Sequence, residues 1–169
     1  MTKLKIECEN IYKEIKTDVS KTASAIFENL MNFPQIKENS CLRDYDYKSV
    51  SFDFLLCDGI KTHQINKEYR NKDYPADIIT FAVFADSQDD ERFVLDGDIN
   101  LGEIIIALDK IEESANEKNI DFDTELKFFI SHGILHLLGF DHQSEEDYNF
   151  VIEQQKKALE SINIHYDKV

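Results

Sequence analysis

Read for hydrophobic period, the chain divides into stretches that alternate and stretches that recur every three or four residues. "KLKIECE" sets Leu4, Ile6 and Cys8 between charged neighbours, the period-two signature of a strand with one wet face. "SVSFDFLLC" alternates in the same way, with Val50, Phe52, Phe54 and Leu56 on one side and Ser49, Ser51 and Asp53 on the other. "DIITFAVF" and "LGEIIIAL" are β-branched and apolar on both faces, which predicts two interior strands at the centre of a sheet. Helical spacing comes first in "SKTASAIFENLMNF", where Ala23, Ile26, Phe27, Leu30 and Met31 follow Ser20 as N-cap until "FPQ" stops them. Asp58 can cap a second helix through "GIKTHQINKEYR", whose apolar face is thin, before "NKDYP" turns the chain.

The C-terminal third holds the strongest helical signals. "DFDTELKFFISHGILHLL" predicts a helix from Asp123 or Thr124, with Leu126, Phe129, Ile130, Ile134 and Leu137 in a three-four rhythm, ending at Gly139. "SEEDYNFVIEQQKKALESI" opens with Ser144 and Asp147 in a capping arrangement and carries Tyr148, Val151, Ile152 and Leu159 on one face. No repeat, low-complexity tract or linker interrupts the sequence. The expectation is one α+β domain over residues 1–169, with a small mixed sheet of about four strands packed by helices.

Composition narrows the class. With 42% hydrophobic residues the chain can bury a core, and a disordered reading fails. The 19 Lys and Arg against 34 Asp and Glu leave a net charge of −15, so the molecule as a whole is no phosphate-binding surface, and DNA is not expected as a partner. Residues 86–98 hold six acids and one Arg and read as a solvated loop with Gly97 in a turn. Cys8, Cys41 and Cys57 are odd in number and far apart, which suggests neither a disulfide framework nor a thiolate metal site. Residues 1–30 contain no uninterrupted apolar run of the signal-peptide kind, and no stretch approaches the ~20 apolar residues that span a bilayer. A cytoplasmic protein with no membrane partner is the expectation.

The chemistry lies in "SHGILHLLGFDH", residues 131–142, which contains three of the five histidines. Positions four apart on a helix share a face one turn apart, so His132 and His136 can grip one ion. Gly139 lets the chain leave the helix through a left-handed turn, and His142 is carried back three residues later. Three neutral imidazoles suit a single Zn²⁺ or a similar divalent ion and leave a fourth position open to water, the arrangement of a catalytic site. Such an ion lowers the pKa of its water to about 7, which implies hydrolysis. A lone histidine on an apolar helix is more often a satisfied core residue. Here three histidines accompany two glycines, Gly133 and Gly139, that each cost a helix about 1 kcal/mol unless required. His63, on a polar helix face, and His165, near the end of the chain, read as solvent-facing.

The spacing H-x-x-x-H-x-x-G-x-x-H is shared with the metzincin zinc proteases, which place a glutamate base beside the first histidine. This chain has Gly133 there, which cannot move a proton. A metallopeptidase would need its base from elsewhere, for example Glu125 on the same helix. A non-enzymatic binding module, with a metal that merely braces the helix end, is the other rival.

"HGILHLLGFDH" resembles the signature of the YbeY family, bacterial metal-dependent endoribonucleases of ribosomal RNA maturation. "INKEYRNKDYPADIITF" is similar to that family's preceding block and "LGEIIIALD" to its following strand, so the likeness covers roughly residues 50–155. The resemblance implies that His132, His136 and His142 are the metal ligands and that Arg70 is the catalytic or RNA-contacting arginine. It also implies cleavage of single-stranded RNA, processing of the 3′ end of small-subunit ribosomal RNA, and a part in ribosome quality control. Ala76 departs from the family's usual Thr after the proline, so a hydroxyl is missing there, and the acidic stretch 86–98 is unusually long. Independently, a guanidinium such as that of Arg70 fits phosphate oxygens in pairs and can hold a scissile phosphate as its charge grows. Asp141 can orient a ligating histidine or cap the turn. Lys61, Lys67, Arg70 and Lys72 against Glu68 give residues 61–72 a local charge of +3 on which RNA can bind, with a ribosomal protein on the small subunit supplying further contacts.

Overall fold

The computed structural model describes residues 2–168. Eight residues, Lys3–Asn10, form β1, and after Asp18 the helix α1 runs over Val19–Met31, followed by the single turn α2 at Pro34–Lys37. Then come β2 (Ser49–Cys57), α3 (Gly59–Tyr69), β3 (Ile78–Phe81), β4 (Asp98–Ala107), α4 (Leu108–Lys118), α5 (Phe122–Leu137) and α6 (Glu145–Glu160). The four strands make one mixed sheet in the order β1-β2-β4-β3, with β1, β2 and β4 parallel and β3 antiparallel to β4. The expected α+β class and four-stranded mixed sheet are thus present. Among the described residues no helix is long and apolar enough to cross a membrane.

The alternation in β2 does what its pattern requires. Phe52, Phe54 and Leu56 point into the main core, where they meet Ile104 and Ile106 of β4 and the buried faces of α1, α5 and α6. Leu55, Ile105 and Ile79 face the other side, where Ile65 of α3 covers them in a smaller cluster. β4 is the interior strand its apolar run suggested, because both of its faces are covered. The expectation that "DIITFAVF" is likewise an interior strand at the sheet's centre is corrected: only Ile78–Phe81 is strand, and it lies at the sheet's edge. Ala82 and Phe84 leave the sheet and are buried in the main core instead, Phe84 meeting the ring of Tyr45 edge-on at 5.1 Å. Hydrophobicity here marks a loop folded inward, which periodicity cannot tell from a strand.

Helix starts shift by a residue or two. Asp18, not Ser20, caps α1 by accepting from the backbone of Lys21, and Asp121 caps α5 by accepting from Thr124. Asp58 and Ser144 cap α3 and α6 as expected. Two helices had no sequence counterpart. α2 is a single turn, and α4 starts directly from β4 without a turn and buries only Leu108, Ile111 and Ala115 among its charged residues.

Candidate metal centre

α5 lies against β4 at a distance that Gly133 permits. A methyl group at that position would stand 2.9 Å from both Cδ1 and Cγ2 of Ile104. With Gly133 turned to the sheet, His132 and His136 sit along the neighbouring flank. The helix then ends in a Schellman turn: Gly139, at φ +96°, donates to the His136 carbonyl at 3.0 Å and Phe140 to that of Leu135 at 3.0 Å. The Leu138 carbonyl accepts from Cys41 at 2.8 Å, which ties the helix end to the segment after α2. Asp141 accepts from the backbone of His142 at 2.5 Å and from Gln143 at 2.9 Å, so it caps the turn and is not the partner of a histidine ring.

These local choices bring His132, His136 and His142 together. Their ring centroids are 4.6, 5.3 and 5.1 Å apart, and one nitrogen from each lies within 4.8 Å of the other two. Nε2 of His136 is buried and has no hydrogen-bond partner, a costly condition for a ring nitrogen that a bound cation would relieve. The orientation of His132 is set by a residue the sequence did not single out. Gln155 of α6 donates its amide to the Phe128 carbonyl at 3.0 Å and to Ser131 Oγ at 3.3 Å, which turns its oxygen to Nδ1 of His132 at 3.3 Å. Nδ1 must then carry the proton, and Nε2 keeps its lone pair for an ion. The only sequence signal for Gln155 was a polar residue on the buried side of α6.

Electrostatics agree with the donor set. Burial, with the nearby His136, pushes His132 down to about 4, and burial with the nearby His142 also lowers His136. Both are therefore neutral at pH 7, the form that ligates a metal. Three imidazole nitrogens converging from one side fit a borderline divalent cation and leave the remaining positions open to solvent.

Arg70 ends α3, exposed, with Nη1 donating to Asn66 Oδ1 at 3.0 Å. Asn66 is itself buried and held by its donation to the Tyr74 carbonyl at 2.8 Å. The charge of Arg70 is among those that keep His136 neutral, so the guanidinium lies within electrostatic reach of the cluster. The backbone at Ala76 is held by Thr62, whose Oγ1 donates to the Ala76 carbonyl at 2.8 Å and accepts from its amide at 3.1 Å. His63 is half-buried and bonds Asp73 at 2.8 Å, so it is held to the surface and does not point freely to solvent. His165 is exposed, as expected. The acids of 86–98 are largely solvated, but Arg92 pins the segment by donating to the carbonyls of Phe84 and Ala85 at 2.9 and 2.7 Å.

Glu125 is fully buried. It accepts from Tyr166 at 2.6 Å and Ser114 at 2.7 Å and pairs with Lys118 at 3.0 Å. A carboxylate so enclosed and so fully engaged is no general base for a peptidase, and that rival loses its named residue.

Fold and site together define an α+β protein in which three histidines are positioned to hold a metal ion. The sequence profile described as Endoribonuclease YbeY matches residues 5–163. Endoribonuclease YbeY of Bacillus pumilus is 44% identical over 148 residues, which cover 86% of this chain and 89% of that protein. Its counterpart in Fusobacterium nucleatum is 37% identical over 142 residues, covering 78% and 85%. This chain belongs to the YbeY family. The solution structure of a Thermotoga maritima protein, 23% identical, superposes with a TM-score of 0.54 over 95% of this chain and 91% of that one, a likeness of fold.

Proposed function

We propose that this protein is a metal-dependent endoribonuclease that cleaves single-stranded RNA, with ribosomal RNA of the small subunit as substrate and Zn²⁺ as its ion, acting in the cytoplasm. The observation that carries the reading is the convergence of His132, His136 and His142 around the unpartnered Nε2 of His136, in a chain that belongs to the YbeY family. In this reading the three imidazoles hold the ion, and Gln155 fixes the ring of His132. When bound, the ion supplies an acidified water or a polarised phosphoryl oxygen at neutral pH. Arg70 holds the scissile phosphate: Asn66 occupies one of its five donors, which steadies the guanidinium and leaves paired N–H groups to meet the charge that grows there. Lys61, Lys67 and Lys72 attract the RNA backbone locally, although the −15 chain repels it overall. Binding to naked RNA is therefore weak and salt-sensitive, and a ribosomal protein of the assembling particle supplies the remaining contacts.

The test is metal content by elemental analysis together with cleavage of a single-stranded RNA. His132→Ala is expected to lose both metal and cleavage, and Arg70→Ala to lose cleavage while keeping the metal. An Arg70→Ala protein that cleaves normally removes Arg70 from the mechanism. A metal-loaded wild type that cuts no RNA overturns the reading.

A further inference from the structure

Beside His132, residues of α4, α5 and α6 line a cleft of about 360 Å³. That volume is enough for one flat heterocycle with its sugar at the mouth. Phe128 and Phe129 of α5, Tyr148 and Ile152 of α6, and Ile78 line it together with His132 itself. The aromatic wall is braced before any ligand arrives. Phe128 stacks on Tyr166 at 3.9 Å and 6°, and the ammonium of Lys118 lies 5.7 and 5.9 Å from the centroids of Phe128 and Phe129. Lys118 gives two of its donors to Glu125 and Tyr166, so a third remains for an acceptor in the cleft. Lys168 adds a second cation to the lining.

We propose that this cleft seats one unpaired RNA base next to the scissile phosphate, a proposal that rests on the endoribonuclease reading. Three features select a base. His132 is shared between the cleft and the metal centre, so a nucleotide whose phosphate lies at the histidines has its neighbour's base within reach of Phe129 and Tyr148. The walls are aromatic and aliphatic, which suits a π-face of any sequence, and both cations of the lining are suited to a polyanion in a chain otherwise strongly acidic. A base held here must be out of a duplex, which gives a physical origin for preferring single strands: a paired base cannot leave its stack to enter.

The experiment uses the full metal-loaded protein and a single-stranded RNA whose cleavage site has been mapped. Each nucleotide flanking that site is replaced in turn by an abasic one, and a parallel RNA carries fluorescent 2-aminopurine at the same positions. One flanking position is expected at which base removal lowers kcat/KM by roughly fivefold to a hundredfold, the range of a lost base-aromatic stack. The 2-aminopurine at that position should be quenched on binding. Phe129→Ala and the cleft-filling Ile152→Trp should keep their metal yet cut intact and abasic RNA at equal, lowered rates, with the quench gone. Wild type that cleaves every abasic RNA as fast as the intact one overturns the proposal and leaves the endoribonuclease reading standing. Variants that retain the full discrimination overturn it as well. Quenching without any cleavage overturns the endoribonuclease reading and leaves the base-binding cleft standing, and neither quenching nor cleavage overturns both.

Discussion

Adding one carbon at Gly133 sets two known effects against each other. Alanine is the best helix former and glycine among the worst, so in the middle of α5 the substitution alone should stabilise by about 1 kcal/mol. The added methyl, however, meets Cδ1 and Cγ2 of Ile104 at 2.9 Å and Cγ1 at 3.1 Å. Ile104 is fully buried on β4, which is paired with β2 on one side and β3 on the other. Its β-branched side chain has little rotamer freedom, so α5 must lift or Ile104 must strain. Overpacking of this kind costs about 1–3 kcal/mol, and the rigid neighbourhood places it near the upper end. Gly133→Ala should therefore lose about 1–2 kcal/mol net, read as a lower midpoint in urea unfolding of the metal-free protein at pH 7 with an unchanged slope. Ile104→Val removes one of the close contacts. It should cost less in the Gly133→Ala background than in wild type, with a coupling of at least about 0.5 kcal/mol. A Gly133→Ala protein more stable than wild type, with effects that simply add to Ile104→Val, would refute the claim that this contact sets the seat of the metal helix.

Replacing Gln155 by Leu frees the ring of His132, and metal affinity in a chelator competition should fall about 10- to 100-fold; unchanged affinity would show that the amide does not hold the ligand. Arg70→Ala should lower kcat about 100- to 1,000-fold at constant metal content, the usual loss for one preorganised donor at a developing charge. Because burial holds His132 at about 4, below its ordinary 6.5, the unfolded chain takes up protons first on acidification. Stability of the metal-free protein is thus full above pH 6.5 and falls as pH drops towards 4, by on the order of 3 kcal/mol from this group, and His132→Phe should flatten that slope in urea titrations at successive pH values. Glu125→Gln should lower stability by about 1–3 kcal/mol through its partners Tyr166, Ser114 and Lys118 while metal uptake stays unchanged; lost uptake would reopen a role for Glu125 at the site.

The three imidazoles were legible because their positions are fixed by a helix period and a glycine turn, both local properties of the chain. What local pattern could not carry was the partner across a long sequence gap. Gln155 stands 23 residues from His132 and looks, in sequence, like any polar residue on an amphipathic helix. Gly133 was readable as a helix cost that something must require and by what it lacks, a proton-moving group. Its packing reason, Ile104, lies on another element, and the same contact turns that position to the sheet and away from the histidines. The inward loop of Ala82 and Phe84 was misread for a related reason, since a buried loop and a buried strand present the same apolar letters. Helix α4 escaped although Leu108, Ile111 and Ala115 recur at helical spacing, because it follows β4 without a turn and has no side-chain cap to mark its start.

The bond between Gln155 and His132 also orders events in time. The ribosome makes the chain from its N-terminus, and a nascent protein that ends before α6 already has all three histidines but nothing to fix the tautomer of the first or to close the cleft beside it. An enzyme of this design matures its own centre only as the last helix emerges, so truncated products of interrupted synthesis would carry the histidine motif without a fully oriented site.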